Sequence, residues 1–217
     1  MFEKLETCRC SPPRCPADTQ AVRDWLPEFL NDFSIPLDKF GTGRHKSLED
    51  LSDEIQKGET RLEVDHCSGR LIRVGAVVRL DVLYLPAYST PLKLYEAEQR
   101  FIDGRCRQRP TEFAVWEKLR SDEYPDSGML RALREELKLT GTIHASPGKQ
   151  TQIMRDPDDY PMIASRFRAF DFVVHLSSEQ FLPHGYQETQ RDKTTTFRWR
   201  PLGSCCAQGC IPIITLQ

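Results

Sequence analysis

Three carboxylates and one arginine between residues 117 and 139 have the types and spacing of a divalent-cation site. In EKLRSDEYPDSGMLRALREELKL, Glu123 stands eight residues before Arg131, and Glu135 and Glu136 follow one helical turn later. Leu130, Leu133 and Leu137 recur at spacings of three and four, which predicts an amphipathic helix with one apolar stripe. On such a helix Arg131 and Glu135 are neighbours, as are Ala132 and Glu136 on the adjacent strip. Hard cations such as Mg²⁺ take carboxylate oxygens, keep several waters and share their shell with substrate phosphates. Charges on a helix are more often a solvated face. Glu123 at this distance, and strand-rich sequence before and after the helix, favour chemistry.

The spacing resembles the signature of the Nudix hydrolases, G-x5-E-x7-R-E-U-x-E-E-x-G-U with U a bulky aliphatic residue. Glu123, Arg131, Leu133, Glu135, Glu136 and Leu139 match it in one ungapped register, six of nine defined positions. It departs at Glu117 and Lys138, where the pattern has glycine, and at Ala132, where it has glutamate. The resemblance implies an α/β fold, a Nudix-like α/β/α sandwich around a mixed β-sheet. It also implies hydrolysis of a diphosphate linkage in a small organic or nucleotide substrate, with Mg²⁺ (or Mn²⁺) as cofactor. Carried over by position, Glu135 and Glu136 are the expected metal ligands and Glu123 a third ligand or an acceptor beside them. Arg131 is the residue expected to hold a carboxylate, Glu123 or Glu135, in place.

A methyl group at Ala132 can neither ligate a cation nor accept a proton, so three readings stay open. The site hydrolyses with a substitute base; or it is a catalytically weakened Nudix domain that binds a ligand without cleaving it. The third is a repurposed enzyme of isomerase or cyclase type in secondary metabolism. In PHGYQETQRDKTTTFRW, Glu188 is the candidate substitute base, expected on a loop just before a strand, with Gln190, Asp192 and Lys193 beside it. Lys193 is a candidate phosphate contact. Tyr160, Arg166 and Arg168, in DDYPMIASRFRAF, are candidates to stack on or clamp a substrate, and His184 is a candidate acid–base group. For each of these taken singly, packing or plain surface exposure is the competing explanation.

The elements that must position these residues can be read from pattern. Val22, Trp25, Leu26, Phe29, Leu30 and Phe33 form a helical stripe over Thr19 to Phe33, with Pro27 as a bend. In SLEDLSDEIQKG, Ser47 and Asp50 are placed to cap a second helix and Gly58 to stop it. From Arg61, short β-branched runs with a Ser68-Gly69 turn predict strands, the first long ones over Leu71 to Leu85. Further strands are expected at Glu112 to Trp116, Thr142 to His144, Phe167 to Leu176 and Thr194 to Trp199. The expected organisation is an irregular start and helical extension over 1–59, a Nudix-like domain over 60–202, and a C-terminal tail over 203–217.

Length and composition set outer bounds. The 217 residues suit one domain with an extension. A net charge of −2 gives no overall basic field, so nucleic acid is not an expected partner. No apolar run approaches the ~20 residues that cross a bilayer, and the first fifteen carry no signal-like apolar stretch, so the expectation is cytoplasmic. The expected partner is a small phosphorylated substrate, and the helical extension is a candidate homodimer surface. Without a secretory signal the eight cysteines are expected as thiols rather than a disulfide framework.

Overall fold

A computed structural model describes residues 19–108, 112–146, 149–202 and 214–215. The expectations about the irregular start, the terminal cysteine clusters and nearly all of the tail lie outside the described residues. The chain is mixed α/β and divides into two compact units. One takes the residues up to Gly75 with Ile153–Phe167; the other takes Ala76–Gln152 and the residues from Arg168 onward.

In the first unit, helix α1 (Thr19–Asp32) carries Pro27 inside it, and its apolar stripe buries Val22, Leu26 and Leu30. Helix α2 (Leu48–Gln56) begins with the expected capping box: the Ser47 hydroxyl accepts from the Asp50 N–H, and the Asp50 carboxylate accepts from the Ser47 N–H. Gly58, at φ 68°, turns the chain out of that helix into strand β1 (Thr60–Val64). β1 pairs antiparallel with the start of the long strand β2 (Leu71–Tyr84) across the Ser68-Gly69 turn. Around this hairpin Leu51, Ile55, Leu62, Leu71, Tyr160 and Ile163 close a core.

One ionic knot is buried in that unit. Arg73, 1% exposed, bonds Glu54 at 2.9 Å, Asp159 at 2.6 Å and Ser165 at 3.0 Å, with the rings of Tyr160 and Phe167 over its guanidinium. A buried charge persists only when paired in this way.

The second unit is a curled sheet with a helix packed on strand β5. Strand β3 (Leu92–Phe101) lies between β2 and β10 (Lys193–Pro201), and β9 (Tyr186–Thr189) follows β10 at one edge. β8 (Ala164–Leu176) and β6 (His144–Ser146) continue on the other side of β2, with the short β11 (Ile214–Thr215) beyond. Arg73 reaches Ser165 and Arg79 reaches Asp171 at one constant sequence offset, so β2 and β8 run parallel while the neighbouring pairs of known register are antiparallel. The sheet is therefore mixed. β4 (Cys106–Arg107) pairs with β3, β7 (Gln150–Arg155) with β8, and β5 (Val115–Lys118) with β2.

Helix α3 (Pro125–Leu137) follows β5 after a short turn. Pro125 at its first position costs no hydrogen bond. The helix ends where Lys138 takes a left-handed φ of 56°, and the Leu139 N–H then bonds the Leu133 carbonyl. Its buried face, Met129, Ala132, Leu133 and Leu137, packs into a core with Val78, Leu80, Leu94, Val115, Phe172 and Val174.

Candidate functional site

Arg131 is the centre of the carboxylate motif. Its Nε and Nη2 donate to the two oxygens of Glu123, each at 2.8 Å, and Nη2 also donates to the Lys118 carbonyl. Its Nη1 donates to Glu117 at 2.5 Å and, more loosely, to Glu135 at 3.3 Å. The guanidinium is only 13% exposed, so these pairs are shielded more than surface ion pairs are. The bond to Arg131 holds the Glu123 carboxyl below its ordinary range, with a further contribution from the Arg120 N–H. Both Glu123 and Glu135 thus bond Arg131, joined by Glu117, one of the positions where the chain departs from the pattern. Glu135, 53% exposed, lies at the outer edge of this group.

Gly128 lets the turn between β5 and α3 close. A Cβ there would sit 2.1 Å from Leu119 Cδ2 and 3.6 Å from the Glu123 carboxylate. Glycine inside a helix is normally a cost, and here it leaves room for the Leu119 side chain.

Glu136, the residue after Glu135 on α3, feels several other acids. Burial raises its pKa well above the ordinary carboxylate value; the charges of Glu188, Glu117 and Glu96 raise it further, and Lys193 opposes them. Glu136 therefore keeps its proton to higher pH than a solvated glutamate does. Glu188, 8% exposed, sits on β9 and accepts from Gln190 at 2.8 Å. The loop expected around Glu188 is in fact a strand. β9 pairs with β10 in the register Glu188 to Thr195, and alternation buries Tyr186 and Glu188 on one face. Gly185 fixes how closely the two strands approach: its φ is 82°, and a Cβ would lie 1.9 Å from the Phe197 carbonyl oxygen.

Glu96 went unnoticed in the sequence. β3 has a bulge at Ala97, where the register with β10 passes from Glu96–Phe197 to Glu98–Thr196. Bulges re-aim side chains; Glu96 and Gln99 both end up buried, and the Gln99 amide lies 3.3 Å from the Glu96 carboxylate. The readable signal was alternation, since Leu94 and Glu96 share the inward face.

The remaining candidates are placed elsewhere. Tyr160 belongs to the first unit and is wholly buried beside Phe40 and Arg73. Its ring is packed within the core of that unit. Arg166, also in the first unit, pairs with Glu63 at 2.8 Å, and Arg168 lies over the Phe170 ring. His184 is exposed, and its backbone carbonyl accepts from Arg198.

The donors around Glu136 are all hard oxygens, as Mg²⁺ requires. Among the described residues no three acidic, histidine or cysteine side chains converge as a metal-holding group. Two carboxylates completed by waters and substrate phosphate are a shell that Mg²⁺ accepts. Glu136 and Glu188 both offer carboxylate oxygens of that kind.

No protein-family model and no curated protein matches the chain. Among solved structures, the T. brucei MERS1–RNA complex aligns with 51% of this chain and 39% of its own at 20% identity and a TM-score of 0.32. A likeness this slight bears on neither fold nor function. Among the described residues no helix is long and apolar enough to cross a membrane.

Proposed function

We propose that the second unit is a Nudix-like α/β/α sandwich that hydrolyses a diphosphate linkage in a small organic or nucleotide substrate with Mg²⁺ or Mn²⁺. The observation that carries this reading is the packing of α3 against β9, which sets the buried acid Glu188 within electrostatic reach of Glu136, with the charge of Lys193 also felt there. Such crowding is unfavourable in an empty site and is relieved by a cation. When bound, the metal neutralises charge on the phosphates. Lys193 adds a second positive charge for a phosphate oxygen. Glu188 takes the proton of the attacking water, whose oxygen bonds to phosphorus as the bridging P–O bond breaks. Glu123 and Arg131 do not touch substrate in this reading; they lock the β5–α3 turn that aims Glu136.

The test is phosphate or pyrophosphate release from nucleoside, sugar and isoprenyl diphosphates, with Mg²⁺ and with EDTA. Release that EDTA abolishes supports the reading, and silence across the panel removes its support. A second reading is favoured by the methyl at Ala132 and the raised pKa of Glu136: the pocket binds a phosphorylated ligand without cleaving it, or runs metal-free acid–base chemistry of isomerase or cyclase type. Turnover that survives EDTA, or ligand binding without product, selects it.

A further inference from the structure

Two imidazoles stand opposite each other across the β6–β8 pair. The strands run antiparallel, and their register sets His144 against His175, Ala145 against Val174 and Ser146 against Val173. Val174 is buried in the core that α3 packs into, with Ala145 against it. Alternation therefore turns both histidines to the other face of the sheet. Directly opposed residues of such a pair carry Cβ atoms about 4.5–5.5 Å apart. Two imidazoles close that span on one ion, with about 2.0–2.1 Å from each nitrogen to the metal.

A second observation comes from His175 itself. Both of its ring nitrogens are buried, and among the described residues neither has a hydrogen-bond partner. A neutral imidazole carries one donor and one acceptor, and buried polar atoms are seldom left unmatched. The half-buried ring of His144 is the nitrogen-bearing side chain opposite it in the register.

We propose that His144 and His175 form a binding site for a borderline divalent cation such as Zn²⁺ or Ni²⁺, held by one nitrogen of each ring and completed by waters. Imidazole suits these ions, whereas Mg²⁺ prefers the carboxylate oxygens that Glu136 and Glu188 offer. The inference therefore stands apart from the Mg²⁺ reading and does not rest on it. A bound ion fastens β6, only three residues long, to its neighbour β8.

The experiment is calorimetric titration of the full chain with Ni²⁺ alone as the probe, at about pH 7.5, where an ordinary imidazole is neutral. Excess Mg²⁺ is present to occupy carboxylate sites. The wild type is compared with His144→Gln, His175→Gln and His66→Gln, each checked for native circular dichroism. His66, exposed in the turn between β1 and β2, controls for surface imidazoles. The expected result is a binding step shared by the wild type and His66→Gln and weakened at least about 100-fold in each of the other two, because the second imidazole binds intramolecularly. Should His175→Gln fail to fold, His144→Gln decides against the control. Identical titrations of the wild type and His144→Gln, whether through ligands elsewhere or through no binding at all, overturn the site. So does an equal loss in His66→Gln, or an undiminished step in folded His175→Gln.

Discussion

Arg131 grips Glu123 with two parallel hydrogen bonds, Nε to one carboxylate oxygen and Nη2 to the other, both 2.8 Å long. This fork-to-fork geometry is the strongest form of the pair, and it ties the turn after β5 to the middle of α3. Glu117 and the Lys118 carbonyl add bonds from the strand itself. The arginine therefore serves first as the rivet between strand and helix.

Arg131→Ala should cost about 3 kcal/mol in urea unfolding, because it leaves Glu117 and Glu123 largely buried without their cation. Arg131→Lys should recover only part, since an ammonium cannot fill both oxygens of Glu123. The pH dependence follows from the lowered pKa of Glu123. A depressed acid contributes stability above its ordinary value of 4.5 and loses it as pH falls through its folded value. The gap between wild type and Glu123→Gln should be full at pH 7 and close progressively below pH 4.5. A gap that is unchanged at pH 3 would refute the pairing as its source.

Glu136 has the opposite sign. An acid raised in the folded state contributes its stability fully below its ordinary value of 4.5 and loses it as pH rises through the folded value. Metal-free Glu136→Gln should therefore melt higher than the wild type at pH 7, each kcal/mol released showing as about 2–4 °C. The two should converge below pH 4.5. Added Mg²⁺ with a phosphorylated ligand should raise the wild-type Tm more than that of Glu136→Gln. A variant that melts lower at pH 7 would show that Glu136 is held as a paired anion.

Gly185→Ala tests the placement of Glu188. The new methyl meets the Phe197 carbonyl oxygen, a backbone atom that cannot step aside, at a φ that suits glycine. A loss of about 1–3 kcal/mol is expected, with β9 shifted away from β10 and cation affinity reduced. Wild-type stability would mean that the hairpin adjusts freely and Glu188 is not fixed by it.

Much of this was legible in the chain, and the gaps have physical causes. The leucine stripe of α3, the Ser47–Asp50 capping box, and the Arg131, Glu123 and Glu135 group are local patterns, which sequence spacing reports well. Glu188 was visible as a candidate, but its strand was not, because QET shows too little alternation to read alone. Glu96 and Glu117 were missed because each lies on a strand, where neighbours are set by sheet pairing rather than by spacing along the helix. The bulge at Ala97 and the β2–β5 register that aim them depend on partner strands far away in sequence. For Tyr160 the sequence leaves a substrate clamp and plain packing open, and the ring packs over Arg73 among the core residues of its unit.

The most direct measurement is metal-dependent phosphate release by the wild type, Glu136→Gln and Glu188→Gln on whichever diphosphate the panel yields. Hydrolysis by Glu136 and Glu188 predicts that both variants keep the fold and the wild type's ordinary spectrum while turnover falls at least about 100-fold in each. Undiminished release from Glu188→Gln would contradict the role of that residue as base, and undiminished release from both would place the chemistry elsewhere in the chain.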